Sequence, residues 1–132
     1  MERKIAWVFF LLICSFAIGF ASDGIHADIL AKTTQSWDGS VLRKYPKGQP
    51  EITIMRIIVP PRTDLSWHEH PVINAGVLIS GKLTVITDKS DTLYLSAGDP
   101  IVEVVNTWHY GRNEEDEPVD IIVFYAGIKG KA

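Results

Sequence analysis

The sequence predicts an all-β fold, a sandwich or barrel of antiparallel strands, and two observations support this prediction. Between residues 51 and 125, short runs rich in β-branched residues alternate with turn-forming residues at intervals of about 8–12 positions. No stretch of this region keeps a helical spacing of apolar residues over two turns. The chain of 132 residues has room for one domain with a modest core.

About eight strands are expected, separated by turns that contain Gly, Pro, Asn or Asp. They begin at or near residues 51, 65, 72, 83, 92, 101, 108 and 119, and the last one ends near 125. Pro71 cannot donate a hydrogen bond to a neighbouring strand, so the chain is expected to bend just after His70.

The pair His68 and His70 lies in the second of these strands. Side chains two residues apart in extended chain point to the same face, roughly 6.5 Å apart along the backbone, whereas on a helix they diverge. Two imidazoles on one face can bind a single metal ion. The alternative is two polar residues at the tip of a strand, and a third histidine downstream, His109, favours the metal site.

The histidine segment resembles the first motif of the cupin family. That motif contains H-x-H, then a Glu after three or four residues, then a Gly after six more. Here His68-x-His70 is followed by Asn74 and Gly81 at those spacings. The departure is Asn74, which stands where the family usually has a ligand Glu, and a neutral amide oxygen is a weaker ligand than a carboxylate.

A second segment is similar to the second cupin motif, G-x5-P-x-G-x2-H-x3-N. Gly98, His109 and Asn113 match it in identity and spacing. Val104 and Asn106 replace the Pro and the second Gly. Asn tolerates a left-handed backbone conformation, so these changes are compatible with the fold.

The resemblance covers roughly residues 50–126 and implies a cupin-type jelly-roll barrel, the double-stranded β-helix. It also implies one divalent metal ion held by His68, His70 and His109, with Asn74, Glu103 or water completing the coordination. Some cupins use three histidines without the Glu, including thiol and diketone dioxygenases. Nitrogen and oxygen ligands suit Fe, Mn, Ni, Cu or Zn, and the sequence does not choose among them.

Glu103 is the one charged residue in the apolar run 101–105. It is expected to be partly buried beside a partner or to lie on a subunit face. It could replace the missing carboxylate as a ligand or act as a general base. The alternative is an ion pair or an interface contact, so no catalytic residue is assigned.

Residues 1–21 are interpreted as a signal peptide. Arg3 and Lys4 precede an apolar run, and small residues then allow cleavage before Ser22 or before Asp28. The expected location is therefore periplasmic or extracellular, with no stable membrane span after removal of the signal; a retained anchor helix is the alternative. Residues 22–49 are interpreted as an N-terminal arm on the barrel or on a neighbouring subunit, anchored by Trp37.

Composition limits the partners. The formal net charge is −3 and no basic cluster is present, which argues against nucleic acid. The only cysteine, Cys14, lies in the signal segment, so the exported chain would have no disulfide. A small domain without disulfides needs other stabilisation, and several strands have apolar residues on both faces; a homodimer is therefore expected.

Together these features predict an exported small cupin that binds a divalent metal ion and a small anionic molecule in its barrel, with no turnover assigned. Three neutral imidazoles leave the charge of the ion uncancelled, which favours an anionic ligand. The alternative is a three-histidine, metal-dependent dioxygenase or isomerase that acts on a small molecule.

Overall fold

The computed structural model describes residues 24–131, so the expected signal peptide, residues 1–21, lies outside the described residues. Within 24–131 the chain forms eight strands and no helix, which confirms the all-β prediction. The strands are β1 (Pro50–Val59), β2 (Thr63–Asp64), β3 (Ile73–Ser80), β4 (Lys82–Thr87), β5 (Thr92–Ser96), β6 (Pro100–Val102), β7 (His109–Asn113) and β8 (Val119–Ile128). Nothing in this part of the chain is a helix that could cross a membrane.

The strands form two four-stranded antiparallel sheets, with the orders β1-β8-β3-β6 and β2-β7-β4-β5. Both sheets contribute side chains to one apolar core, which lies between them as in a jelly-roll barrel. The buried core residues are Val59, Leu78, Leu83, Val85, Leu95, Ile101, Val119, Ile121 and Val123.

The sheet β1-β8-β3-β6 is apolar on both faces. On β1, Ile57 and Val59 face the interior, whereas Ile52 and Ile54 point outward and are each 62% exposed. Phe124 on β8 also points outward and is 47% exposed. The strands of this sheet therefore do not alternate apolar and polar residues. This explains why they are nearly continuous apolar runs in the sequence.

Several turns use a left-handed backbone conformation, and two of them fall on residues of the cupin-like motifs. Gly81 between β3 and β4 has a φ of +85°, and a Cβ built on it would lie 2.7 Å from the carbonyl oxygen of Pro118. Glycine is required there both for the backbone angle and for the close approach. Asn106, which replaces a motif glycine, has a φ of +49°, as its amide side chain was expected to allow.

Asn113 at the end of β7 ties two loops together from a buried position. Its Nδ2 atom donates to the carbonyl oxygens of Val59, Pro60 and Glu117 at 3.1, 3.0 and 2.8 Å. Its Oδ1 atom accepts a hydrogen bond from the Glu115 amide at 3.1 Å. The motif asparagine thus satisfies backbone groups where the β1–β2 and β7–β8 connections meet.

The arm before β1 contacts the barrel through Trp37, which packs against the core and donates its backbone N–H to the carbonyl of Val102 at 2.9 Å. Within the arm, an isolated antiparallel bridge joins Gln35 to Val41.

Candidate metal centre

The histidine pair lies between β2 and β3 in irregular chain, where a regular strand was expected. His68 is held by an isolated antiparallel bridge to His109, and each residue's N–H donates to the other's carbonyl at 2.9 Å. The carbonyl of His70 accepts from the Asn106 amide at 2.8 Å, just before the chain turns at Pro71. Long-range backbone pairing, and not strand periodicity alone, therefore positions the two histidines.

The three motif histidines converge. One candidate ligand nitrogen from each of His68, His70 and His109 lies within 4.8 Å of the other two. Their ring centroids are 4.4 Å apart for His68 and His109, 4.9 Å for His70 and His109, and 5.0 Å for His68 and His70. The cluster predicted from the H-x-H spacing and the downstream histidine is thus present and could hold one metal ion.

Hydrogen bonds to backbone carbonyls select the tautomer of two of these rings. Nδ1 of His68 lies 2.7 Å from the carbonyl oxygen of Ser66, and Nδ1 of His109 lies 2.8 Å from that of Thr107. A carbonyl oxygen only accepts, so Nδ1 carries the proton and Nε2 of the neutral ring keeps its lone pair. This is the arrangement in which metal-binding histidines are oriented by a second hydrogen bond.

The surroundings of His109 Nε2 show whether a cation fits among the three histidines. The atom is buried and has no hydrogen-bond partner among the described residues, and the residue as a whole is 1% exposed. A buried lone pair without a donor is unfavourable. A metal ion at the centre of the three rings would satisfy this nitrogen, so the residues present fit such an ion.

His70 is held in its neutral form. Burial, together with the neighbouring His109 and His68 rings, lowers the pKa of His70 to about 4. Its ring also contacts Tyr125 edge-on, with centroids 5.3 Å apart. Burial and then the negative charge of Glu103 raise the pKa of the Tyr125 phenol. The cavity thus contains a neutral imidazole and a protonated phenol near neutral pH.

Asn74 on β3 faces the cavity and is 2% exposed. Its Nδ2 atom is buried without a hydrogen-bond partner in the described part of the chain. An amide nitrogen only donates, so in this orientation Asn74 offers the cavity a hydrogen-bond donor. Coordination of a metal ion by Asn74 would use its other atom, Oδ1.

Glu103 follows β6 and lines the same cavity, with 9% of the residue exposed. Its backbone N–H donates to the carbonyl of Asn74 at 3.0 Å, which continues the β3–β6 pairing. Its Oε1 atom accepts from the indole N–H of Trp37 at 2.9 Å, and its Oε2 atom lies 3.8 Å from Nε2 of His109. Glu103 is therefore partnered and faces the barrel interior.

The sequence did not predict the contact between Trp37 and Glu103, nor that Tyr125 lines the cavity. The two ends of the first contact are 66 residues apart, and no local pattern connects them. Tyr125 had a usable signal, because Val119, Ile121 and Val123 are buried and period two along β8 places residue 125 on the same face.

Two aromatic neighbours of the histidines lie largely outside the cavity. Trp67 and Trp108 are 50% and 49% exposed, and Trp67 contacts Tyr110 with centroids 4.6 Å apart. Arg112 does not line the cavity; it forms a two-bond ion pair with Asp64 at 2.9 Å for each contact.

The cavity bounded by the three histidines is small, about 70 Å³. Apart from the polar groups above, its walls are apolar. The apolar lining residues are Ile57, Val59, Leu65, Leu83, Val85, Ile101, Gly111, Ile121 and Val123. Pockets for drug-sized molecules measure roughly 300–1,000 Å³, so this cavity suits a ligand of a few heavy atoms.

A small double-sheet barrel with three histidines converging on an interior cavity defines a recognisable class of protein. The chain belongs to the cupin family, whose family model, described as "Cupin domain", matches residues 55–125. This match confirms the family resemblance of the two histidine motifs.

Individual relatives support the fold. The chain is 26% identical over 83 residues to an H2HPP isomerase of Bacillus subtilis, an alignment that covers 63% of this chain and 35% of the isomerase. The chain thus spans about a third of the length of that relative. A cupin domain from Bordetella pertussis Tohama I superposes with a TM-score of 0.51 at 19% identity, covering 64% of this chain and 97% of that one. DMSP lyase DddQ from Ruegeria pomeroyi DSS-3 gives a TM-score of 0.55 at 18% identity, covering 61% and 41%.

Proposed function

We propose that the protein binds one divalent metal ion through Nε2 of His68, Nε2 of His109 and the ring of His70. The observation that supports this proposal best is the orientation of His68 and His109, whose Nδ1 protons are committed to backbone carbonyls. Their Nε2 lone pairs are left for an ion, and that of His109 has no other partner within residues 24–131. When bound, a divalent ion supplies a Lewis acid that polarises a ligand oxygen or acidifies a bound water.

We further propose that the ligand held at this ion is a small anion. Three neutral imidazoles contribute no negative charge, so an ion they hold attracts anions. The unpartnered Nδ2 of Asn74 lies in the same cavity wall and is placed to donate a hydrogen bond to an anionic oxygen. The cavity of about 70 Å³ limits the buried part of such a ligand to a few heavy atoms.

Turnover of the bound molecule is the second candidate function. It is favoured by Glu103 and Tyr125, a carboxylate and a phenol that line the cavity beside the histidines and could move protons on a bound ligand. Isomerisation is one such reaction and is the activity named for the Bacillus subtilis relative. Dioxygenase chemistry, suggested by the three-histidine pattern, is the other.

Metal analysis of protein purified without a histidine tag tests the first proposal. After loading with Fe(II), Mn(II), Ni(II), Cu(II) or Zn(II), we expect about one ion per chain for at least one of these metals. His109→Ala should abolish this binding. Trp108→Phe is the control, because Trp108 adjoins His109 in sequence but is 49% exposed and does not line the cavity. A content below about 0.1 ion per chain with every metal would contradict the proposal.

Ligand binding and turnover are then distinguished on the loaded protein. Carboxylates from formate to succinate should raise the melting temperature of the metal form more than that of the metal-free form. Consumption of a thiol, diketone, catechol or 2-oxo acid that requires the metal and is lost in His68→Ala would establish an enzyme. A melting shift without consumption would establish a binding protein.

We also propose export and self-association. Export rests on the basic start, apolar run and small residues of the first 21 positions. A homodimer is supported by the outward apolar side chains of the β1-β8-β3-β6 sheet, among them Ile52, Ile54 and Phe124. Such a face is stabilised when a second copy covers it.

A further inference from the structure

The two carboxylate oxygens of Glu103 have different environments. Oε1 accepts hydrogen bonds from the Trp37 indole N–H at 2.9 Å and from the Val104 amide at 3.1 Å. Oε2 is the oxygen nearer the histidines and lies 3.8 Å from Nε2 of His109. Because Oε1 is fixed by two donors, the direction in which Oε2 points is fixed as well.

A positive charge between Oε2 of Glu103 and Nε2 of His109 would stabilise both atoms. Nδ1 of His109 is the donor to the Thr107 carbonyl, so in the neutral ring Nε2 is an acceptor, and it faces the acceptor Oε2. Two acceptors that face each other in a buried site repel unless a proton or a metal ion lies between them, and 3.8 Å is too long for a hydrogen bond between these atoms. Two ligand atoms about 2.1 Å from one ion can be up to about 4.2 Å apart, a span that includes the observed 3.8 Å.

The N-terminal arm is hydrogen-bonded to Val102 and Glu103 at three points, one of which is the Glu103 carboxylate. The Trp37 backbone N–H donates to the Val102 carbonyl, the Ser36 hydroxyl donates to the Glu103 carbonyl at 2.9 Å, and the Trp37 indole donates to the Glu103 side chain. Ser36 is 5% exposed, so this is a buried junction. The arm therefore contacts both the main chain and the side chain of Glu103.

We propose that Trp37 is a positioning residue for the metal centre: its indole N–H aims the Glu103 carboxylate so that Oε2 is a fourth, negatively charged donor to the ion held by the three histidines. The inference rests on the proposed metal site and adds the arm to it. A dication with this donor set keeps one net positive charge, which suits a small monoanion as the remaining ligand.

Cobalt(II) titration of protein purified without a histidine tag tests the inference, with visible absorption and dissociation constant as readouts. Glu103→Gln should weaken cobalt binding by about 10–100-fold and change the spectrum, because it removes the anionic donor. Trp37→Phe keeps an aromatic ring but loses the donor, and should weaken binding by about tenfold. Ser36→Ala is the matched control: it loses the arm's bond to the Glu103 main chain but leaves the carboxylate bond, and should bind cobalt within about twofold of wild type.

The double variant separates positioning from general stabilisation of the fold. If Trp37 acts through the carboxylate, Trp37→Phe should change the affinity little once residue 103 is Gln, even if it lowers the melting temperature. Wild-type affinity and spectrum in Glu103→Gln would overturn the inference, and so would full additivity of the two substitutions. Glu103→Gln leaves Trp37 unchanged, so the effect of removing the anionic donor can still be measured if Trp37→Phe fails to fold. Failure of wild-type protein to bind any metal would instead refute the proposed function itself.

Discussion

His68 and His109 are joined by two main-chain hydrogen bonds of 2.9 Å, so the backbone holds them opposite each other across an antiparallel bridge. Residues paired in this way place their side chains on the same face. The centroids of the two rings are accordingly 4.4 Å apart. Backbone pairing and the carbonyl-bound Nδ1 atoms therefore form most of the histidine cluster without requiring an ion.

The first prediction is that the metal-free barrel stays folded. Treatment with a chelator should leave the β-sheet circular dichroism and a cooperative unfolding transition intact, because the apolar core and the bridge do not involve the ion. Adding metal at about 100 times its dissociation constant should stabilise the protein by about 2.7 kcal/mol. Loss of the β signal on chelation would show that the ion is needed for folding.

The second prediction concerns pH. The folded-state pKa of His70 is about 4, below the ordinary value of 6.5, so between these values the unfolded chain takes up a proton that the folded chain does not. Its contribution to the stability of metal-free protein is therefore complete above pH 6.5 and falls as the pH drops towards 4. The loss should be on the order of 1 kcal/mol, since solvent screens a partly exposed ring.

Urea unfolding of metal-free wild type and His70→Gln between pH 7.5 and about 4 measures this effect. The difference in unfolding free energy between the two proteins should change across the window, because the variant lacks only this titration. A constant difference at every pH would show that His70 does not carry the effect. Carboxylates shared by both proteins cancel in the comparison.

The third prediction is that Asn113→Asp strongly destabilises the barrel. The change removes the Nδ2 donor and turns a carboxylate oxygen towards the carbonyls of Val59, Pro60 and Glu117. Loss of these buried bonds should cost at least about 3 kcal/mol in urea unfolding. Asp116→Asn, which breaks the exposed ion pair with Arg62, is the control and should cost less than about 1 kcal/mol. Equal effects would contradict the role given to Asn113.

The fourth prediction is a dimer through the β1-β8-β3-β6 sheet. Sedimentation of wild type at micromolar concentration should give twice the chain mass, and Ile54→Lys should shift it towards the monomer because it places a charge on the apolar outer face. Tyr94→Lys, at a 75% exposed position on β5 of the other sheet, should leave the mass unchanged. A monomeric wild type would remove the dimer and leave the barrel unaffected.

The fifth prediction is processing of the N-terminus. Sequencing of soluble periplasmic or secreted protein should begin at Ser22 or Asp28, since small residues precede both positions. Intact Met1 in the soluble protein would argue against cleavage. A tagged variant with Ala21→Glu should block cleavage before Ser22 and separate the two sites.

Local patterns were sufficient to predict most of the fold from the sequence. Gly, Pro, Asn and Asp bound the strands, and seven of the eight expected runs coincide closely with observed strands. The histidine segment was the exception, because a bend at Pro71 and a bridge to β7 replace a regular strand there. The two-residue spacing still predicted correctly that His68 and His70 converge. They converge because distant residues hold the backbone at both positions, and not because they lie in a regular strand.

The sequence predicted most of the residues of the candidate site, but not how their side chains are oriented. Spacing identified His68, His70, His109 and Asn74, and isolation in an apolar run identified Glu103. The orientation of the Asn74 amide and the hydrogen bond that fixes Glu103 follow from packing between segments far apart in sequence. Such contacts depend on the whole barrel, so no window of the sequence contains them.

The pairing of β1 with β8 has a consequence for when the protein can fold. Ten residues of β1, Pro50–Val59, pair in register with Val119–Ile128, and β3 also pairs with β8. Strand β8, which lies between β1 and β3, is therefore translated long after both of its neighbours. The barrel cannot close until Val119–Ile128 is available to pair, so closure is a late step and depends on contacts of long sequence separation.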